Sequence, residues 1–212
     1  MKVLVACEFS GIVRSAFARA GHDTWSCDLL DTERPGGNHI KGDVREILSD
    51  GWDMLIAHPP CTFLASSGAR WFRARRTEQE LALDFVGTLL NAPIKYKAVE
   101  NPIGVITGRY GRPSQTIQPW QFGHPHAKKI CLWLRGLPKL KSTNIVTVRN
   151  WTTYRMGPSP HRQKNRSRFY NGIAEAMAVQ WGSACQQKVS RNVVFSPCVS
   201  TAPNTLWEGV QT

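Results

Sequence analysis

The sequence predicts an α/β protein built on a doubly wound, mostly parallel sheet. Three observations carry that prediction. Short apolar runs alternate with stretches of helical periodicity from Lys2 to Leu134, turn residues close each run, and acidic or thiol side chains recur where the runs end. At 212 residues the chain is long enough for one such domain with a full core and short for two.

Lys2-Val3-Leu4-Val5-Ala6-Cys7 reads as the first strand, and Ile12, Val13, Ala16, Phe17 and Ala20 then recur at helical spacing until Gly21 ends the pattern. Thr24-Trp25-Ser26-Cys27 forms the second strand, ending at Asp28. After Pro35-Gly36-Gly37, a third unit covers His39 to Asp43. The fourth strand runs from Asp53 to Ala57. A helix begins at Thr77, where Thr77 and Glu80 have capping-box spacing, with Leu81, Phe85 and Leu89 along one face before Pro93. Lys97-Ala98-Val99 is the fifth strand, ending at Glu100. Ile130-Cys131-Leu132-Trp133-Leu134 is a later strand, and Gly172 to Trp181 a terminal helix. Residues 183–212 lack periodicity and carry Pro197 and Pro203, so they are expected to form a loosely ordered tail after a domain spanning 1–182.

The formal charge of +12 is unevenly spread: residues 1–69 hold 6 Lys/Arg against 9 Asp/Glu, and the rest holds 21 against 6. Such asymmetry points to a polyanionic partner. Nucleic acid is favoured over a membrane surface, because Arg70, Trp71, Phe72, Arg73, Arg75 and Arg76 mix cations with aromatics and no basic helix carries a broad apolar face. Six cysteines at 7, 27, 61, 131, 185 and 198 form no CxxC pair, and no apolar stretch has spanning length, which predicts a reduced, cytoplasmic protein. His58 and Cys61 lack a second ligand pair at metal spacing, so no metal is expected.

The segment His58-Pro59-Pro60-Cys61-Thr62-Phe63 is the most informative. Two prolines offer no N–H and fix φ, so the strand stops there and Cys61 is held out at its end, where open α/β sheets bind ligands. Asp28, Asp43 and Glu100 fall at the ends of other strands and line the same edge. Glu8-Phe9-Ser10-Gly11 sits at the first strand-to-helix turn, where Gly11 allows close approach and the helix start offers free N–H groups to an anionic ligand end. An acid at the end of the second strand suits ribose hydroxyls, so Asp28 fits an adenosine-containing cofactor.

The ordered set Phe9-Ser10-Gly11, Asp28, Gly42-Asp43-Val44, Pro59-Pro60-Cys61, Glu100-Asn101-Pro102 and Phe122-Gly123-His124-Pro125 resembles the cytosine-5 DNA methyltransferase family, over residues 3 to 182. The resemblance implies a Rossmann-like fold that binds S-adenosyl-L-methionine. Phe9, Ser10 and Gly11 would cradle that cofactor, Asp28 would hold its ribose and Asp43, followed by Val44, its adenine amino group. Pro59 would border the cofactor and target pocket, and Ile173, in Asn171-Gly172-Ile173-Ala174, would lie near the cofactor. Cys61 would attack carbon 6 of the pyrimidine, Glu100 would hold a proton on ring nitrogen 3, and Asn101 would order the turn. A thiolate adds and leaves readily, and a carboxyl group in a dry site can stay protonated enough to stabilise the adduct. Thr62 to Gly68 resembles the mobile loop after the cysteine, with Ser67 placed to meet a flipped base.

Where the family has glutamine-x-arginine-x-arginine, this chain has His126-Ala127-Lys128-Lys129-Ile130, so Lys128 is the cation retained there. Only 25 residues lie between Leu134 and Pro160, too few for a separate target-recognition domain. The chain thus resembles the short forms carried by phages and prophages. What stands in that region is basic, including Arg155, Arg162 and Arg166, and with Arg70 and Arg73 it could track the phosphates of duplex or single-stranded DNA. Low sequence specificity, a short target or a separate specificity protein follows. Two other functions fit the residues: modification of free pyrimidine nucleotides, and a non-catalytic DNA-binding decoy of the same fold.

Overall fold

The computed structural model describes residues 1–150 and 167–192. Seven strands, β1 (Lys2–Ala6), β2 (Asp23–Asp28), β3 (His39–Lys41), β4 (Met54–Ala57), β5 (Tyr96–Asn101), β6 (Gln115–Ile117) and β7 (Ile130–Arg135), form one sheet. Their order is β3-β2-β1-β4-β5-β7-β6. The first five strands pair in parallel, whereas β7 runs antiparallel to β5 and β6 antiparallel to β7. This is the expected doubly wound, mostly parallel, Rossmann-like sheet. The chain winds outward from β1 through β2 to β3 and then returns to β4 on the other side. A topological switch point therefore opens between β1 and β4, where such sheets hold ligands beyond the strand ends.

Alternation along the strands divides the core into two layers. Val3, Val5, Met54, Ile56, Ala98, Ile130 and Leu132 face α1 (Ile12–Arg19) and the C-terminal helix α4 (Asn171–Asn192), whose Ile173, Met177 and Trp181 are fully buried. Leu4, Ala6, Leu55, Ala57, Val99 and Trp133 face α2 (Arg76–Asn91) and the short α3 (Ile106–Tyr110). Buried on both faces, the central strands read as continuous apolar runs, as parallel strands must.

Three expectations need correction. First, α2 begins at Arg76 with Arg75 at its N-cap, and no side chain caps it; Glu80, expected to complete a capping box with Thr77, pairs instead with Arg109 at 2.7 Å. Second, the buried face of α2 is Leu83, Val86, Leu89 and Leu90, while Leu81 is 65% exposed. At about 100° per residue, Leu81 points away from Leu83, so of the expected stripe Leu89 is fully buried and Phe85 packs against the core, while Leu81 faces outward. Third, α4 does not stop near Trp181: the helix runs to Asn192, and Cys185 is buried in the core. The domain boundary at 182 thus falls inside a helix. Residues 193–212 lie outside the described residues.

Among the described residues no helix is long and apolar enough to cross a membrane. Trp181 anchors α4 by full burial and by donating its indole N–H to the Pro138 carbonyl at 2.9 Å. Trp181→Ala should lower unfolding free energy by about 3–5 kcal/mol, measured by urea denaturation. A loss below about 1 kcal/mol would mean that α4 is not part of the folded core.

Candidate active site

The carboxyl ends of β1, β2, β4 and β5 bring the predicted residues to one edge. Parallel register pairs Ala57 with Val99, so one residue further on His58 stands level with Glu100, and Pro59 with Asn101. Neighbouring strands lie about 4.8 Å apart. Asn101, 1% exposed, donates its side-chain N–H to the Pro59 carbonyl at 2.8 Å. The turn bearing Cys61 is thereby tied to the strand bearing Glu100.

Beyond Pro60 the chain turns on itself. The Cys61 carbonyl accepts from the N–H groups of Leu64 (3.1 Å) and Ala65 (3.0 Å), and Leu64 plugs fully into the core. A second clamp follows: Ser66 N–H donates to Ile103 at 2.9 Å and Val105 N–H to Leu64 at 2.9 Å, around an antiparallel bridge between Ala65 and Gly104. A Cβ on Gly104 would overlap the Leu64 carbonyl, so only glycine permits this approach. The loops after Cys61 and after Glu100 are thus one backbone-paired unit.

Cys61 is exposed, whereas Cys27, Cys131 and Cys185 are buried and Cys7 is half-buried. Burial pushes the Cys7 thiol well above its usual range, with further contributions from Asp28, Cys27 and Asp43, and burial also raises Cys27, to about 11, and Cys131. These thiols stay protonated, and Cys61 is the described cysteine accessible to a substrate.

Glu100 departs from the expected protonated carboxyl. Burial pushes it up, but the hydrogen bond from His58, the charge of His58 and that of Lys128 outweigh this, and it lies below its ordinary value. His58 Nδ1 is 3.2 Å from Glu100 Oε2, with both side chains nearly buried. Lys128 is thus electrostatically linked to Glu100, and its Nζ also sits 5.9 Å from the Tyr170 ring centre.

At the switch point a small cavity is lined by Cys7, Glu8, Phe9, Ser10, His58, Ser167 and Phe169. Here too an expectation changes. The N–H groups at the start of α1 do not await an anion, because the Glu8 carboxyl accepts from Val13 (2.6 Å) and Arg14 (3.1 Å), and Ser10 donates to it at 3.3 Å. Burial pushes Glu8 up, opposed by His58 and by these N–H bonds. Phe9 and Ser10 are themselves buried. Gly11 takes a left-handed φ of 65° at the N-cap, where a Cβ would come 2.9 Å from the Arg14 guanidinium. Cys7, also left-handed at φ 58°, is the described non-glycine residue with this strain.

Asp28 closes a turn by accepting the Leu30 N–H at 2.9 Å, and burial raises its carboxyl. Asp43 caps a 3-10 turn over Val44–Glu46 and is gripped by the Arg45 side chain, which holds it below the usual carboxylate range. A ligand amino group would share Asp43 with Arg45. Asp28 and Asp43 thus place carboxylates beyond the ends of β2 and β3, with Leu29 and Leu30 exposed directly after Asp28. Val44 is 4% exposed in one core layer and Ile173, on α4, is fully buried in the other, so both serve the core of the domain. Pro59, also buried, acts through its carbonyl.

Ser67, Arg70 and Arg73 are exposed on or next to the 3-10 segment Ser66–Trp71 that follows Cys61. Arg70 lies 5.2 Å from the Trp71 ring centre, and Arg75 lies 5.8 Å from that of Phe63 and 6.0 Å from that of Trp71, which is 52% exposed. Arg155, Arg162 and Arg166 lie outside the described residues. Sequence reasoning missed the roles of Glu8 and Phe169, and of His58, whose signal was its place directly before Pro59.

No family model matches the chain, and no curated protein matches it. Among solved structures, a methyltransferase of Entamoeba histolytica, EhMeth, is 14% identical with a TM-score of 0.47, over 69% of this chain; the match spans only 57% of that protein's length.

The Gly104 clamp makes a sharp prediction. Gly104→Val should free the Cys61 loop and abolish slow hydrogen exchange at the Ser66 and Val105 amides while β1 and β4 stay protected. Unchanged protection of those two amides would contradict the clamp.

Proposed function

We propose that this chain is an S-adenosyl-L-methionine-dependent methyltransferase acting on carbon 5 of cytosine in DNA. One observation carries the reading: the turn after β4 that bears an exposed thiol, Cys61, is tied through Asn101 to the end of β5, which bears the nearly buried carboxyl of Glu100. A nucleophile and an acid tied together at a ligand-binding edge fit addition to an electron-poor ring.

The chemistry accounts for both residue types. Carbon 5 of cytosine is a poor nucleophile until a thiolate adds to carbon 6. As the sulfur–carbon bond forms, the ring's electron pair moves through carbons 5 and 4 to nitrogen 3, which must take a proton. Cys61 supplies the thiolate and Glu100 the hydrogen bond at nitrogen 3. A base then takes the carbon 5 proton, and its C–H electron pair restores the ring double bond as the thiolate leaves.

The cofactor, when bound, supplies an electrophilic methyl group. Asp28 would hold its ribose hydroxyls, Asp43 its adenine amine against Leu29 and Leu30, and the Glu8 corner of the cavity would face its positively charged end. Ser67, Arg70, Trp71 and Arg73, placed just after Cys61, supply cations for phosphates and a ring for a base. A duplex cytosine has to leave the stack to reach Cys61.

Transfer of labelled methyl groups to duplex DNA, single-stranded DNA and dCMP tests the reading. Wild type should label DNA, and Cys61→Ser should fall to background while still binding S-adenosyl-L-methionine by calorimetry. Labelling confined to dCMP would replace DNA by the free nucleotide as substrate. No labelling with the cofactor still bound would make the chain a binding protein.

A further inference from the structure

His58 stands between the two halves of the site, and the function proposed above gives it no task. Its Nδ1 faces Glu100 Oε2 at 3.2 Å, and since an ionised carboxylate only accepts, Nδ1 is the donor. Its other nitrogen, Nε2, is fully buried and finds no hydrogen-bond partner among the described residues. The ring is pinned from the side by Phe169, with centres 4.6 Å apart, and its backbone N–H extends the β1–β4 ladder to the Ala6 carbonyl at 3.0 Å. The imidazole is therefore fixed with one nitrogen on the acid and the other buried, and His58 lines the cavity together with Cys7, Glu8, Phe9, Ser10 and Ser167.

We propose that His58 is a positioning residue for Glu100: it fixes the carboxyl at the end of β5 and exchanges a proton with it as the substrate ring changes charge. This rests on the cytosine reading for its substrate but on the structure alone for the pairing. The groups facing His58 are Glu100 from β5, Glu8 and Cys7 from the β1–α1 turn and the apolar Phe169 ahead of α4; Lys128 acts on the pair through Glu100.

The proton balance is simple. When the Cys61 thiolate bonds to carbon 6 and the electron pair reaches ring nitrogen 3, His58, starting with both nitrogens protonated, passes its Nδ1 proton to Oε2 of the ionised Glu100, and the carboxyl so formed gives a proton to nitrogen 3. Imidazole then carries its remaining proton on Nε2. Re-forming the aromatic ring and expelling the thiolate returns the proton along the same path. A fixed cation at a carboxylate also explains how a nearly buried Glu100 can be ionised before substrate arrives.

The test has one arm that needs no substrate. Carbon-13 NMR of labelled glutamate, with Glu100→Gln for assignment, follows the Glu100 carboxyl through a pH titration in wild type, His58→Gln and His58→Ala. The Glu100 midpoint should rise by about one pH unit or more in His58→Ala, because burial persists without its partner, and by less in His58→Gln, whose amide can still donate. The second arm measures methyl transfer: His58→Gln should lower kcat by about tenfold or more with KM nearly unchanged, and added imidazole should partly restore His58→Ala. A Glu100 midpoint that does not move in either variant would overturn the proposal. A midpoint that moves as expected in a protein that never transfers methyl groups would uphold the pairing and remove the cytosine reading instead.

Discussion

The hydrogen bond from the Asn101 side chain to the Pro59 carbonyl holds the site together. Prolines 59 and 60 end β4 because they cannot extend a ladder, and the chain beyond them would otherwise leave the sheet unguided. Asn101 replaces the missing ladder bond with a side-chain one, from a residue that itself pairs with Cys131 of β7. A buried amide bond of this kind is worth about 1 kcal/mol net, but leaving either partner unsatisfied costs about 1–3 kcal/mol. That asymmetry fixes the relative position of the thiol turn and the acid. The Gly104–Ala65 bridge repeats the tie one turn further out.

Charge is arranged with the same economy. The chain is strongly basic overall, yet the strand ends around the switch point carry Glu8, Asp28, Asp43 and Glu100. Each is handled differently: Glu8 by the N–H groups of α1, Asp28 by a turn, Asp43 by Arg45 and Glu100 by His58. Glu8 in particular takes the helix-start N–H groups that would otherwise draw an anion. The exposed Arg70, Trp71 and Arg73 that follow Cys61 put the opposite charge on the loop after β4.

Much of the fold was legible because buried parallel strands leave unbroken apolar runs, as at Val3-Leu4-Val5 and Leu55-Ile56-Ala57. Gly11 and the Pro-Pro-Cys segment were legible because few residues tolerate those backbones. The misreadings have local causes. Gln115–Ile117 forms β6 with only three residues, too short for a period. Leu81 looked like core because apolar residues at 81, 85 and 89 mimic a stripe, and the true face is set by packing on β5. The C-terminal helix was cut short at Trp181 because polar residues follow, although Cys185 is still buried. His58 was invisible as a partner of Glu100 because 42 residues separate them, and only the register of β4 on β5 makes them neighbours.

The central claim is that Cys61 adds to a cytosine ring held by Glu100. It is tested most directly with oligonucleotides in which cytosine is replaced by 5-fluorocytosine, a base that can accept the thiolate and the methyl group but cannot release a proton from carbon 5. Incubated with S-adenosyl-L-methionine and digested for peptide mass analysis, the protein should carry a stable adduct on the peptide containing Cys61, absent in Cys61→Ser. No adduct, or one mapped to another cysteine, would contradict the account.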